Sequence, residues 1–163
     1  MCIRDRSWQL LHGFARLELS DGTILLMDVM VTELKEAGFS PFGGVKFDVK
    51  AIADVIIDSL PEKLKERVRD KPIYHPWQEL PADGWELIDI RTQEPAVIET
   101  TVNTSKGLFS VRVVTEATMV ARNLSYRDFK GQPIYYVFWV YKASWKPAGK
   151  ATLTAPAVGH VYR

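Results

Sequence analysis

The last third of the chain constrains the fold most. From Ile134 to Trp145, one side of an extended chain would carry Tyr135, Val137, Trp139, Tyr141, Ala143 and Trp145, and the other Ile134, Tyr136, Phe138 and Val140 before turning polar at Lys142. Side chains alternate across a strand with a period of two, so this arm is apolar on both faces along its first half. Such a strand is covered on both sides, by a core and a helix, by a second sheet or by another subunit. Two apolar-rich arms precede it, Ala96 to Asn103 and Leu108 to Arg122, joined by Thr104-Ser105-Lys106-Gly107, a turn ending in the glycine that hairpins favour. Arms this long exceed the ~5–6 residues of a mean strand, so a bulge or strong coiling is expected in each.

The first hundred residues add more strands and one helix. Asp21-Gly22 suits a two-residue type I′ turn between apolar runs. That register sets Leu19 opposite Ile24 and Leu17 opposite Leu26, with Glu18 and Leu25 on the other side. The second strand is expected to continue through Val29 and Val31, and Gly38 to Gly44 to form a tight loop. Val45, Phe47 and Val49 alternate with Lys46, Asp48 and Lys50, a half-buried strand running toward Ile57. Ser59-Leu60-Pro61-Glu62 is a capping box followed by Leu64 and Val68 in register with Leu60. It predicts a helix of about ten residues with one narrow apolar stripe. Pro72 to Gly84 reads as a crossing loop and Trp85 to Ile90 as a short strand. The order predicts an α+β fold: a predominantly antiparallel β-sheet with long C-terminal strands and one short helix packed on it.

At 163 residues, 47% of them apolar, the chain suits one globular domain that buries roughly 68–70% of its unfolded surface. Residues 1–6, Met-Cys-Ile-Arg-Asp-Arg, resemble the translated remnant of a sequencing adapter found in assembled environmental reads. They are expected to be a non-native scar, leaving 7–163 as the domain. The compartment is then open. The sole cysteine, Cys2, excludes an intrachain disulfide and fits a reducing, cytoplasmic setting. The longest apolar runs fall far short of the ~20 residues of a spanning helix, so no membrane insertion is expected.

Catalytic signatures are missing from the sequence. No phosphate loop, dinucleotide fingerprint or nucleophile elbow stands between a strand and a helix. His12, His75 and His160 lack metal-ligand spacing, so neither a metal nor a cofactor is expected. His75, with Trp77 nearby in the Pro72 to Gly84 loop, is the best single candidate for proton transfer and for the rim of a small-ligand pocket. The carboxylates of Asp54, Asp58, Asp83, Glu86 and Asp89 read as solvated charge.

Charge is uneven along the chain. From Thr101 onward nine basic residues meet only Glu116 and Asp128, whereas the first hundred residues hold 12 basic and 18 acidic. The split fits an anionic partner for the C-terminal half, or two halves that complement each other within the fold or between subunits. The basic, aromatic surface candidates are Tyr126, Arg127, Lys130, Tyr135, Trp139, Tyr141, Lys142, Trp145 and Lys146. The leading expectation is a non-enzymatic interaction or assembly module, a homo-oligomer or partner of another protein, that associates through its long C-terminal strands. The alternative is a domain that binds single-stranded nucleic acid, its cations, Arg122 included, on phosphates and its rings on bases. A third reading is a ligand pocket or enzyme site beside His75.

Overall fold

In the computed structural model, which describes residues 11–39 and 44–148, eight strands and one short helix form. The strands are β1 (His12–Leu19), β2 (Ile24–Phe39), β3 (Val45–Ser59), β4 (Trp85–Ile88), β5 (Ile90–Glu94), β6 (Ala96–Thr104), β7 (Gly107–Asn123) and β8 (Ile134–Pro147). The helix α1 spans Glu62–Arg67. Residues 1–6 and His160 lie outside the described residues. The strands pair antiparallel in two sheets. One has the order β3-β2-β1-β5; in the other, β7 holds β8 on one edge and β4 and β6, end to end, on its opposite edge. Leu17, Leu25, Met27, Val29 and Phe47 of the first sheet share a single core with Ile98, Val111, Val113, Val120 and Val137 of the second. Each sheet therefore covers the inner face of the other.

The first hairpin differs from its expected register by one residue. Leu17 pairs with Leu25 and Glu18 with Ile24, so the turn has three residues, Ser20-Asp21-Gly22, rather than two. Leu19 donates its amide to the Thr23 carbonyl at 2.9 Å, and Gly22 sits at φ 91°, the left-handed conformation that such a turn requires. The core decides between the registers. A two-residue turn pairs odd positions with even ones, which would draw Asp28 to the face shared by Leu17 and Leu19. The observed turn pairs odd with odd, burying Leu25, Met27, Val29 and Val31 and leaving Asp28 on the outer side.

The helix also departs from expectation. Ser59 does not cap it, because its backbone is held in the β-ladder opposite Ile24. The helix starts after Pro61, has six residues and carries no side-chain cap. Leu64 and Val68 are buried but stand outside the core that the sheets share. The protein is thus mostly antiparallel sheet with one short helix, and the cover for the long strands is sheet against sheet.

The stretch expected as one strand, Trp85 to Ile90, is two. β4 pairs with β7, and after Asp89 the chain crosses to pair β5 with β1. The crossing leaves a gap on the edge of β7, between Thr115, paired with Ala96, and Val120, paired with Ile88. The side chain of Gln93 fills it as a one-residue strand would: it donates to the Ala117 carbonyl at 3.0 Å and accepts the Ala117 amide at 2.9 Å. At the same level Thr118 is the extra residue of a bulge against β8, its hydroxyl on the Phe138 carbonyl. Before the bulge, odd residues of β7 point inward; after it, Val120 and Arg122 do, and Met119 turns out. Of the three C-terminal arms expected to bulge or coil, β7 carries the bulge, whereas β6 pairs with β7 without a register shift; β2 has further shifts against β3 near Leu25, Thr32 and Ala37.

Ala117 is buried, so Gln93→Leu should strand its amide and carbonyl and cost about 2 kcal/mol or more in urea unfolding. A loss below ~0.5 kcal/mol would mean that solvent satisfies both groups.

Candidate functional site

Polar chemistry inside the described chain concentrates at one end of the two sheets. The turn residue Asp21 accepts the Thr23 amide at 2.9 Å through Oδ1, which fixes the three-residue turn. Its Oδ2 accepts from Tyr135 Oη at 2.7 Å and from the Arg122 guanidinium at 3.0 Å. Arg122 also reaches Glu86 at 3.2 Å. Because the single phenol proton goes to Asp21, the Thr23 hydroxyl is the donor in its 2.9 Å contact with Tyr135. Side chains from β4, β7 and β8 thereby grip the tip of the β1–β2 hairpin.

The electrostatics identify the cluster as a clamp. Burial pushes the Asp21 carboxyl up, but the bonds from Tyr135, Thr23 and Arg122 outweigh it and hold the group below its usual range. Burial works against the charge of Arg122, and Glu86 with Asp21 more than restores it. Burial, followed by the neighbouring Asp21, pushes the Tyr135 phenol far above neutrality. None of the three exchanges a proton near neutral pH, which general acid–base chemistry would need.

The rings expected to form a surface are divided by the alternation of β8. Tyr135, Trp139, Tyr141 and Trp145 face the core side and pack against it. Tyr141 donates to the Val49 carbonyl at 2.9 Å and Trp145 to the Val45 carbonyl at 3.1 Å, so both close the seam between the edges of β8 and β3. Arg122 is consumed by the clamp, and Arg127 donates through Nε to the Lys71 carbonyl. Tyr126 is half-buried, whereas Lys130, Lys142 and Lys146 are exposed. These placements move the available apolar surface to the opposite side of β8, where Tyr136, Phe138 and Val140 stand out. The sequence showed that face as apolar but gave no sign of which side the core would take.

The seam stays open beyond Tyr141, as a groove of about 510 Å³ lined by Val55, Ile57, Tyr74, Phe129, Ile134 and Tyr135 among others. Beside this groove stands His75, stacked on the exposed Trp77 with ring centroids 4.5 Å apart; the adjacent Tyr74 and Pro76 line the groove. A second hollow of about 450 Å³ lies at the β7 gap that Gln93 bridges. Among the described residues no cluster of His, Cys, Asp or Glu could hold a metal ion, and no helix is long and apolar enough to cross a membrane.

On the outer face of the second sheet, Leu87, Ala121 and Tyr136 lie side by side across three strands, with Met119 beside Phe138 and Glu116 beside Val140. Trp85 meets Tyr136 edge to face at 6.4 Å, and Tyr136 meets Phe138 at 5.0 Å. The outcome is an aromatic and aliphatic strip that runs past the bulge at Thr118. Comparison with protein-family models, with curated proteins and with solved structures finds no match to this chain.

Because folding lowers the Asp21 pKa, the clamp contributes fully above the ordinary carboxylate range and is lost as pH falls through the folded value. Asp21→Asn should lower stability at pH 7 by about 3 kcal/mol, since Arg122 loses a buried partner. It should also flatten the acid limb, as measured by urea unfolding at successive pH values. Parallel acid limbs in variant and wild type would count against the clamp.

Proposed function

We propose that this chain is a non-catalytic assembly module that associates with further copies of itself through the outer face of β4, β7 and β8. The observation that carries the reading is the exposed strip itself. Leu87 is 66% exposed and Phe138 40% exposed, with Met119, Tyr136 and Val140 open beside them. Exposed apolar side chains gathered side by side in this way mark an interaction surface rather than the scattered single residues of an ordinary surface. The rings project from β-strands rather than loops, which suits a contact made with little loss of side-chain freedom.

The rings expected to serve either reading, Tyr135, Trp139, Tyr141 and Trp145, pack on the core side, so both readings turn on the outer strip. The nucleic-acid reading keeps Lys130, Lys142 and Lys146 and would stack bases on Tyr136 and Phe138. The assembly reading is preferred because the aliphatic Leu87, Met119 and Val140 make up the rest of the strip. A small ligand would take the seam groove that Tyr74 and Pro76 line beside His75.

Sedimentation equilibrium across the micromolar to hundred-micromolar range tests the proposal. The expected mass rises with concentration above the 18.5 kDa of one chain, and Phe138→Lys returns it to that value with little change in thermal midpoint, since its side chain faces solvent. A wild-type mass that stays at one chain throughout overturns the reading. Mass gained only with a mixed single-stranded oligonucleotide, and lost with added salt, would put nucleic-acid binding first.

A further inference from the structure

The first sheet also presents an apolar outer face. Phe14, Ile52 and Ile56 are each more than half exposed there, with Leu26 opposite Ile56. Across the middle of this face Asp28 stands directly opposite Asp54. Like charges facing across a strand pair destabilise it. Asp28 has His12 Nδ1 at 3.2 Å, and among the described residues no cation pairs with Asp54. The face is therefore an apolar stripe with two carboxylates at its centre, of which Asp54 has no ion-pair partner among the described residues.

The outer face of the second sheet carries Lys142 and Lys146 as well as Glu116. Lys142 follows Val140 on the same side of β8, opposite Val114, and Lys146 lies further along. Neither has an ion-pair partner among the described residues, while the nearby Arg112 is paired with Glu99.

We infer that copies stack head to tail, the β1–β3 face of one on the β7–β8 face of the next, with Lys142 of one copy set against Asp28 and Asp54 of its neighbour. The inference rests on the self-association proposed above and adds which surfaces meet. Such a contact uses different patches on the two copies, so it propagates into a ring or an open stack instead of ending at a two-fold dimer.

Charge exchange tests it, with sedimentation as the readout and the thermal midpoint as a check on folding; both positions are exposed. Asp54→Lys and Lys142→Asp should each weaken self-association by about tenfold or more, since each replaces an attraction across the contact by a repulsion. An equimolar mixture of the two variants, and a chain carrying both substitutions, should each recover association. A two-fold contact through either face alone would leave one of the single variants unaffected and the double variant unrescued. That result overturns the head-to-tail arrangement while self-association stands. A wild-type chain that never exceeds one-chain mass removes both.

Discussion

One carboxylate holds the architecture together. Through Oδ1, Asp21 braces the three-residue turn whose register the core selects, and through Oδ2 it binds Arg122 of β7 and Tyr135 of β8. The same group thus ties the tip of the first sheet's hairpin to the inner face of the second. Were Asp21 displaced by one position along the turn, no single group would do both. Buried ion pairs are seldom the largest source of stability, and their best-attested use is to select one arrangement among several. Here the arrangement that Asp21 braces is the pairing of odd positions with odd, which keeps Asp28 out of the core.

A second locus makes that arrangement geometrically feasible. The bulge at Thr118 reverses the inward and outward sense of β7, and without it Arg122 would point to solvent and Met119 to the core. The same level of β7 is where β4 gives way to β6 and Gln93 bridges the gap. The reversal that brings Arg122 to the clamp also places Met119 beside Phe138 on the outer strip, so the interior clamp and the candidate interface share one cause.

Much of the fold was legible in the sequence, because period-two patterning and turn residues report local backbone directly: the long arms, the hairpin at Asp21-Gly22 and the turn before Gly107 all form. What was hidden depends on partners distant in sequence. Asp21-Gly22 suits a two-residue turn locally, and only the core pairing of Leu17 with Leu25 selects three. Ser59 has the chemistry of a cap, but the ladder with Ile24 holds it. Nothing between Trp85 and Ile90 marks the crossing at Asp89, since no proline or glycine is needed there. At the candidate interface, the arm from Ile134 to Trp145 was visibly apolar on both faces, and the rings were divided between core and surface only by what packs opposite.

The proposed head-to-tail stack joins two different outer faces between copies. Zero-length carbodiimide coupling on an equal mixture of unlabelled and nitrogen-15-labelled chain, at a concentration where the mass exceeds 18.5 kDa, examines it directly. The predicted product joins the Lys142 amine to the Asp54 or Asp28 carboxylate in peptide pairs that contain one light and one heavy partner. Coupling of Lys142 only to its own chain, for instance to Glu116, with no mixed-isotope pair, would contradict it.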